Sequence, residues 1–132
     1  MVALKANEVD AFVARPSPEQ PIVLVCGPDA GLVHERTEKI INASVDDPND
    51  PFALVRIEGD ALASEPSRLV EEAHTIPLFG GKRAVWVKAG GRNFVSAVDI
   101  SQMCRTIRAA NRQRFAVWTE SHGSYPTRLL QR

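Results

Sequence analysis

The sequence predicts an α/β fold built on a mostly parallel sheet, and three observations carry that prediction. Short apolar runs rich in β-branched residues recur along the chain, as in "PIVLVCG" and "RAVWVK", and such runs fit strands covered on both faces. Between them lie segments with apolar residues at helical spacing, bounded by capping residues, prolines and glycines. Strand and helix patterns alternate, which is the mark of parallel crossover units.

The elements follow in order. A first helix is expected over residues 8–14, with Val9, Phe12 and Val13 inward, and the proline-rich "RPSPEQP" ends it. Residues 21–27 form the first strand. Asp29 then caps a long helix, because its carboxylate can accept from the free amides of the first turn. Val33, Thr37, Ile40, Ile41, Ser44 and Val45 share one face of that helix. The run "DDPNDP" at 46–51 stops it. Residues 52–59, "FALVRIEG", read as the second strand. Ser64 is expected to cap a helix over "EPSRLVEEAHT", with Pro66 in its first turn and Leu69, Val70 and Ala73 on one face. Residues 83–88 form the third strand, "AGGRN" turns the chain, and 94–107 can form a helix. "RFAVWTE" at 114–120 supplies a fourth strand.

A chain of 132 residues is long enough for one domain with its own core. Its 44% hydrophobic and 24% charged content sets it apart from disordered and membrane-embedded classes. No apolar stretch approaches the roughly 18 residues of a membrane helix. The N-terminus lacks the basic and apolar layout of a signal peptide. Cys26 and Cys104 lie far apart, outside any CxxC or Cys/His cluster, so no metal site is expected. The low cysteine content suits a reducing cytoplasm, and no contact with a membrane is expected.

The turn "LVCGPDAGLVHER" has the strand–turn–helix layout of a phosphate-binding loop. The full pattern requires GxxxxGK[ST]. Here Gly27 and Gly31 are followed by Leu32 and Val33, so the phosphate-neutralising lysine and the magnesium-binding hydroxyl are both missing. Gly27, Pro28, Asp29 and Gly31 therefore make a degenerate loop, and Asp29 puts a carboxylate where a phosphate would sit. His34, His74 and His122 show no ligand or nucleophile spacing. Glu71 and Glu72 are expected on a solvated helix face. No catalytic residue and no cofactor are expected.

Two features remain. Leu78 and Phe79 sit between Pro77 and the Gly80–Gly81 pair, so a large apolar pair lies where the chain turns. The residues themselves leave two readings open: a plug for the domain's own core, or an anchor for a partner. Charge is also uneven. Residues 1–99 carry ten Lys and Arg against fifteen Asp and Glu, a net of −5, whereas 100–132 carry six arginines and one glutamate, a net of +5. Arg105, Arg108, Arg112 and Arg114 could form a nucleic-acid-facing patch or simply one basic helix.

The ordered motifs "VALKANEVDAFVARP", "PIVLVCGPDAGLVHER", "DPFALVRIEGDALASEPSRLVEEAHTIPLFGGKRAVWV" and "AGGRNF" resemble the N-terminal domain of the bacterial DNA polymerase III delta subunit, a clamp-loader protein. The resemblance covers residues 2 to about 98. It implies an AAA+-type, RecA-like sandwich of about four to five strands with helices on both faces and no working ATP site. It also implies that Leu78 and Phe79, shaped by Ile76, Pro77, Gly80 and Gly81, enter a hydrophobic pocket of the sliding β clamp and help to open it for loading on primed DNA. On that footing the chain is a non-catalytic subunit of a nucleotidyltransferase holoenzyme. Its partners are the clamp, the other loader subunits in full-length relatives, and DNA through the complex.

The expected organisation is a delta-like domain over 1–98, a divergent arginine-rich segment over 99–132, and no collar domain. That last segment either completes the same domain or marks a reading-frame shift that truncated a longer gene. Two other functions stay open beside the clamp-binding one. One is a nucleic-acid-binding module that uses the arginine-rich segment; the other is a P-loop-like nucleotide-binding protein.

Overall fold

The computed structural model describes residues 2–17, 19, 22–65, 67–76, 80–89, 114–120 and 128–131. In chain order the described elements are β1 (Val2–Ala3), α1 (Ala6–Ala14), β2 (Ile22–Cys26), α2 (Ala30–Ser44), β3 (Leu54–Glu58), α3 (Gly59–Ser64), α4 (Ser67–His74), β4 (Arg83–Ala89), β5 (Arg114–Glu120) and β6 (Arg128–Gln131). The strands form one sheet in the order β1-β6-β2-β5-β4-β3. Neighbours among β2, β5, β4 and β3 run parallel, while β6 runs antiparallel to β2 and to β1. The mixed α/β class and the parallel sheet are those that the alternating patterns predict.

The strand read from "RFAVWTE" has an interior place. Its register runs from Ile22↔Ala116 to Cys26↔Glu120 on one side and from Arg83↔Arg114 to Ala89↔Glu120 on the other. The two strands that sequence patterning did not announce, β1 and β6, have two and four residues. Neither is long enough for an alternation of period two to stand out.

One apolar cluster joins α1 and α2 to the sheet. Val9, Phe12, Val13, Val33, Ile40, Ile41 and Val45 pack with Val23, Val25, Leu54, Ala84 and Trp86. Alternation along β4 sends Arg83, Val85 and Val87 to the opposite face, and those are buried as well. Burial on both faces is why β4 reads as an unbroken apolar run. Leu62 of α3 and Leu69 of α4 are almost fully buried. Thr37, also buried, satisfies its hydroxyl by donating to the Val33 carbonyl at 2.7 Å, so a polar residue on the inner face of α2 costs little.

Several element-level expectations shift. β3 begins at Leu54 and leaves Phe52 and Ala53 in a turn, because the Asp50 carbonyl takes the amides of Ala53 and Leu54. Residues 59–64 form the short helix α3, and Ser64 is its last residue rather than the cap of the next helix. Its hydroxyl donates back to the Asp60 carbonyl at 3.0 Å. Val70, expected inward, is exposed, whereas its neighbour Leu69 on the same helix is buried. Pro66, the helix expected over 94–107, and the side chain of Ala73 lie outside the described residues.

Candidate functional site

The degenerate phosphate turn lies where β2 delivers the chain to α2. Gly27 is buried, and Pro28 and Asp29 are exposed. Asp29 has an extended backbone, and its Oδ1 accepts the Leu32 amide at 3.0 Å. The Val33 amide donates to the Asp29 carbonyl oxygen at 3.0 Å. A Cβ added at Gly31 would meet Asp29 Oδ1 at 3.3 Å, so the carboxylate lies close over the first turn. The positive end of the helix, which elsewhere attracts phosphate, is answered here by the chain's own anion. Asp29→Ala is expected to cost about 1 kcal/mol of stability and Asp29→Asn much less, measured by urea denaturation.

A second constellation gathers at the loop between α4 and β4. Arg83 opens β4, yet its side chain is only 6% exposed. One terminal nitrogen donates to the Glu72 carbonyl at 2.7 Å and to the Thr75 carbonyl at 3.2 Å. The other donates to Glu72 Oε2 at 2.5 Å. The last carbonyls of a helix lack intrahelical partners, and a cation suits the negative end of its dipole. The guanidinium supplies both needs and fastens the end of α4 to the start of β4. Its Nε is buried with no hydrogen-bond partner among the described residues.

This clasp is the arrangement that sequence reading missed. Glu72 is half-buried in an ion pair, not on the solvated face expected for it, whereas Glu71 is exposed. The pair is separated by eleven positions, beyond any helical spacing rule. The available signal was a charged residue opening an apolar strand.

Between the clasped ends the chain makes its turn. Ile76 is 78% exposed. Pro77, Leu78 and Phe79 lie outside the described residues. Gly80 and Gly81 follow at φ 69° and 93°, the left-handed region that side chains with a Cβ avoid. A Cβ at Gly81 would stand 3.5 Å from Asp46 Oδ2, so this turn runs beside the 46–53 segment. The Ala84 amide joins the two by donating to the Ala53 carbonyl at 2.8 Å.

Of the arginine set, Arg114 lies on the interior strand β5, and Arg105, Arg108 and Arg112 lie outside the described residues. The exposed His34 pairs with Glu38 at 3.3 Å and tilts against the Trp86 ring, 5.5 Å between centroids. His74 bonds the Val70 carbonyl of its own helix, and His122 lies outside the described residues. Lys39, hydrogen-bonded to Glu35, holds that exposed carboxyl below its ordinary range. Among the described residues no three His, Cys, Asp or Glu side chains gather as a metal site. No helix among them is long and apolar enough to cross a membrane.

No curated protein and no solved structure matches the chain significantly. A family model described as DNA polymerase III, delta subunit, does match, over residues 23–112. That family is a non-catalytic component of the clamp loader, with a related role in DNA replication. The matched stretch runs from β2 through the clasped loop and β4 toward β5 and takes in just over two thirds of the 132 residues, so the chain belongs to the DNA polymerase III delta-subunit family.

Proposed function

We propose that this chain is a clamp-binding domain of the delta type, which docks on the sliding β clamp through Leu78 and Phe79 and helps to open it for loading on primed DNA. The single observation that best supports this reading is the Arg83 clasp. It ties the end of α4 to the start of β4, so residues 76–82 leave from and return to fixed points. An apolar anchor binds better when the ends of the loop that carries it are held beforehand. The strong exposure of Ile76 supports a contact reading for its neighbours. Pro77 and the Gly80–Gly81 turn would shape the tip. Insertion of the pair biases the clamp toward its open form only if it binds that form better.

The same reading makes the domain an AAA+-type, RecA-like sandwich whose phosphate turn no longer serves nucleotide. Asp29 occupies the helix end that an anion would need. ATP hydrolysis then falls to other loader subunits of the nucleotidyltransferase holoenzyme, in the cytoplasm, and DNA is reached through the complex. Residues 99–132 complete the domain begun by 1–98, a view supported by the pairing of β5 with β2 and β4. The test is binding of purified β clamp by the unaltered chain and by Leu78→Ala/Phe79→Ala. Equal binding overturns the proposal. An ATP titration checks its second half, with no saturable binding expected.

A further inference from the structure

Three large apolar side chains are exposed among the described residues: Phe52 at 60%, Val70 at 38% and Ile76 at 78%. Ile76 borders the proposed tip, and Val70 lies on the helix that leads into it. Phe52 belongs to a different segment, and its exposure is built in. Its amide donates to Asp50 Oδ1 at 2.8 Å, and the next two amides donate to the Asp50 carbonyl at 3.1 and 3.0 Å. A turn with this many internal bonds holds Phe52 in place at an outer position.

That position adjoins the start of β4, the strand that follows the proposed tip in sequence. Ala53, the next residue, accepts the Ala84 amide at 2.8 Å, and Ala84 directly follows the clasp residue Arg83. One Cα step of about 3.8 Å on each side of that bond links Phe52 to Arg83. On the other flank, Gly81 lies beside Asp46. The 46–53 segment and residues 81–84 thus lie together at one end of the sheet, and Phe52 is strongly exposed there.

We propose that Phe52 is a second anchor for the partner that receives Leu78 and Phe79. This inference rests on the clamp-docking reading and deepens it. The partner surface it implies has an apolar pocket for the tip and, next to it, an apolar patch for one aromatic ring. Asp46 and Asp47 are exposed nearby, which favours a basic rim around that patch. Surrounding polar contacts that exclude water strengthen a central apolar anchor.

Purified β clamp is the probe. Phe52→Ala is expected to weaken its binding by about 10-fold, Phe52→Leu by much less, and neither to move the melting temperature. If Leu78→Ala/Phe79→Ala loses affinity while Phe52→Ala binds as the unaltered chain does, the second anchor is refuted and the clamp-docking reading stands. If the pair variant binds normally, the docking reading itself fails. Phe52→p-benzoylphenylalanine gives a readout that does not depend on the stability of the alanine variant. Photo-crosslinking of position 52 to the clamp supports the proposal, and no crosslink from position 52 at clamp concentrations that saturate binding overturns it.

Discussion

Leu78→Ala/Phe79→Ala is expected to lower affinity for the sliding clamp by at least about 100-fold, read by surface plasmon resonance, with the melting temperature unchanged. Burying a large apolar side chain is worth roughly 1.5–3 kcal/mol, so two give about 3–6 kcal/mol. At about 1.4 kcal/mol per factor of ten, the lower figure already exceeds 100-fold. The competing reading, in which the pair plugs the domain's own core, predicts the opposite pattern. Truncating core Leu and Phe costs about 2–5 kcal/mol each in stability and leaves any partner contact indirect. Affinity lost at constant stability supports docking. Stability lost without a specific affinity effect sinks it.

The fold was legible where the signal is local. Of the set expected inward on α2, Val33, Thr37, Ile40 and Ile41 are buried as the 3.6-residue period requires, Ser44 is half-buried, and the buried Val45 is the C-cap just past the helix. The Asp29 cap is in place, because a helix start depends on a few adjacent groups. β5 was legible as a strand, but its place between β2 and β4 was not, since pairing partners far apart in sequence leave no periodic trace. β6 and β1 are too short to show a period, and α3 was hidden because "GDALAS" follows a strand with no proline to mark the change. At the candidate site the same division holds. The Gly80–Gly81 turn announces itself by composition, whereas the Arg83–Glu72 clasp is a tertiary contact between a strand start and a helix end. Phe52 looked like a strand residue because aromatics favour strands. Only the Asp50 turn, with its side-chain and main-chain bonds, takes it out of the ladder.

The clasp leads to the second large effect, one that separates support of the loop from contact with the partner. Glu72→Ala is expected to destabilise the chain by about 3 kcal/mol, because breaking a buried pair leaves an uncompensated charge. Here the stranded group is the Arg83 guanidinium, 6% exposed, which would keep its two carbonyl acceptors and lose its carboxylate. Glu72→Gln retains an acceptor at that point and is expected to cost about 1 kcal/mol. Arg83→Met removes the charge but strands the carbonyls of Glu72 and Thr75, so it falls between the two. Urea denaturation checks the order by the midpoint, with the slope unchanged. Glu72→Ala should also weaken clamp binding, by about 3- to 10-fold, since freeing one end of the 76–82 loop adds ordering entropy to docking. Losses in both stability and affinity distinguish this supporting pair from Leu78 and Phe79, whose removal should touch affinity alone. A Glu72→Ala variant with an unaltered urea midpoint would show that the clasp does not hold the ends of the loop, and its support for the docking reading would go with it.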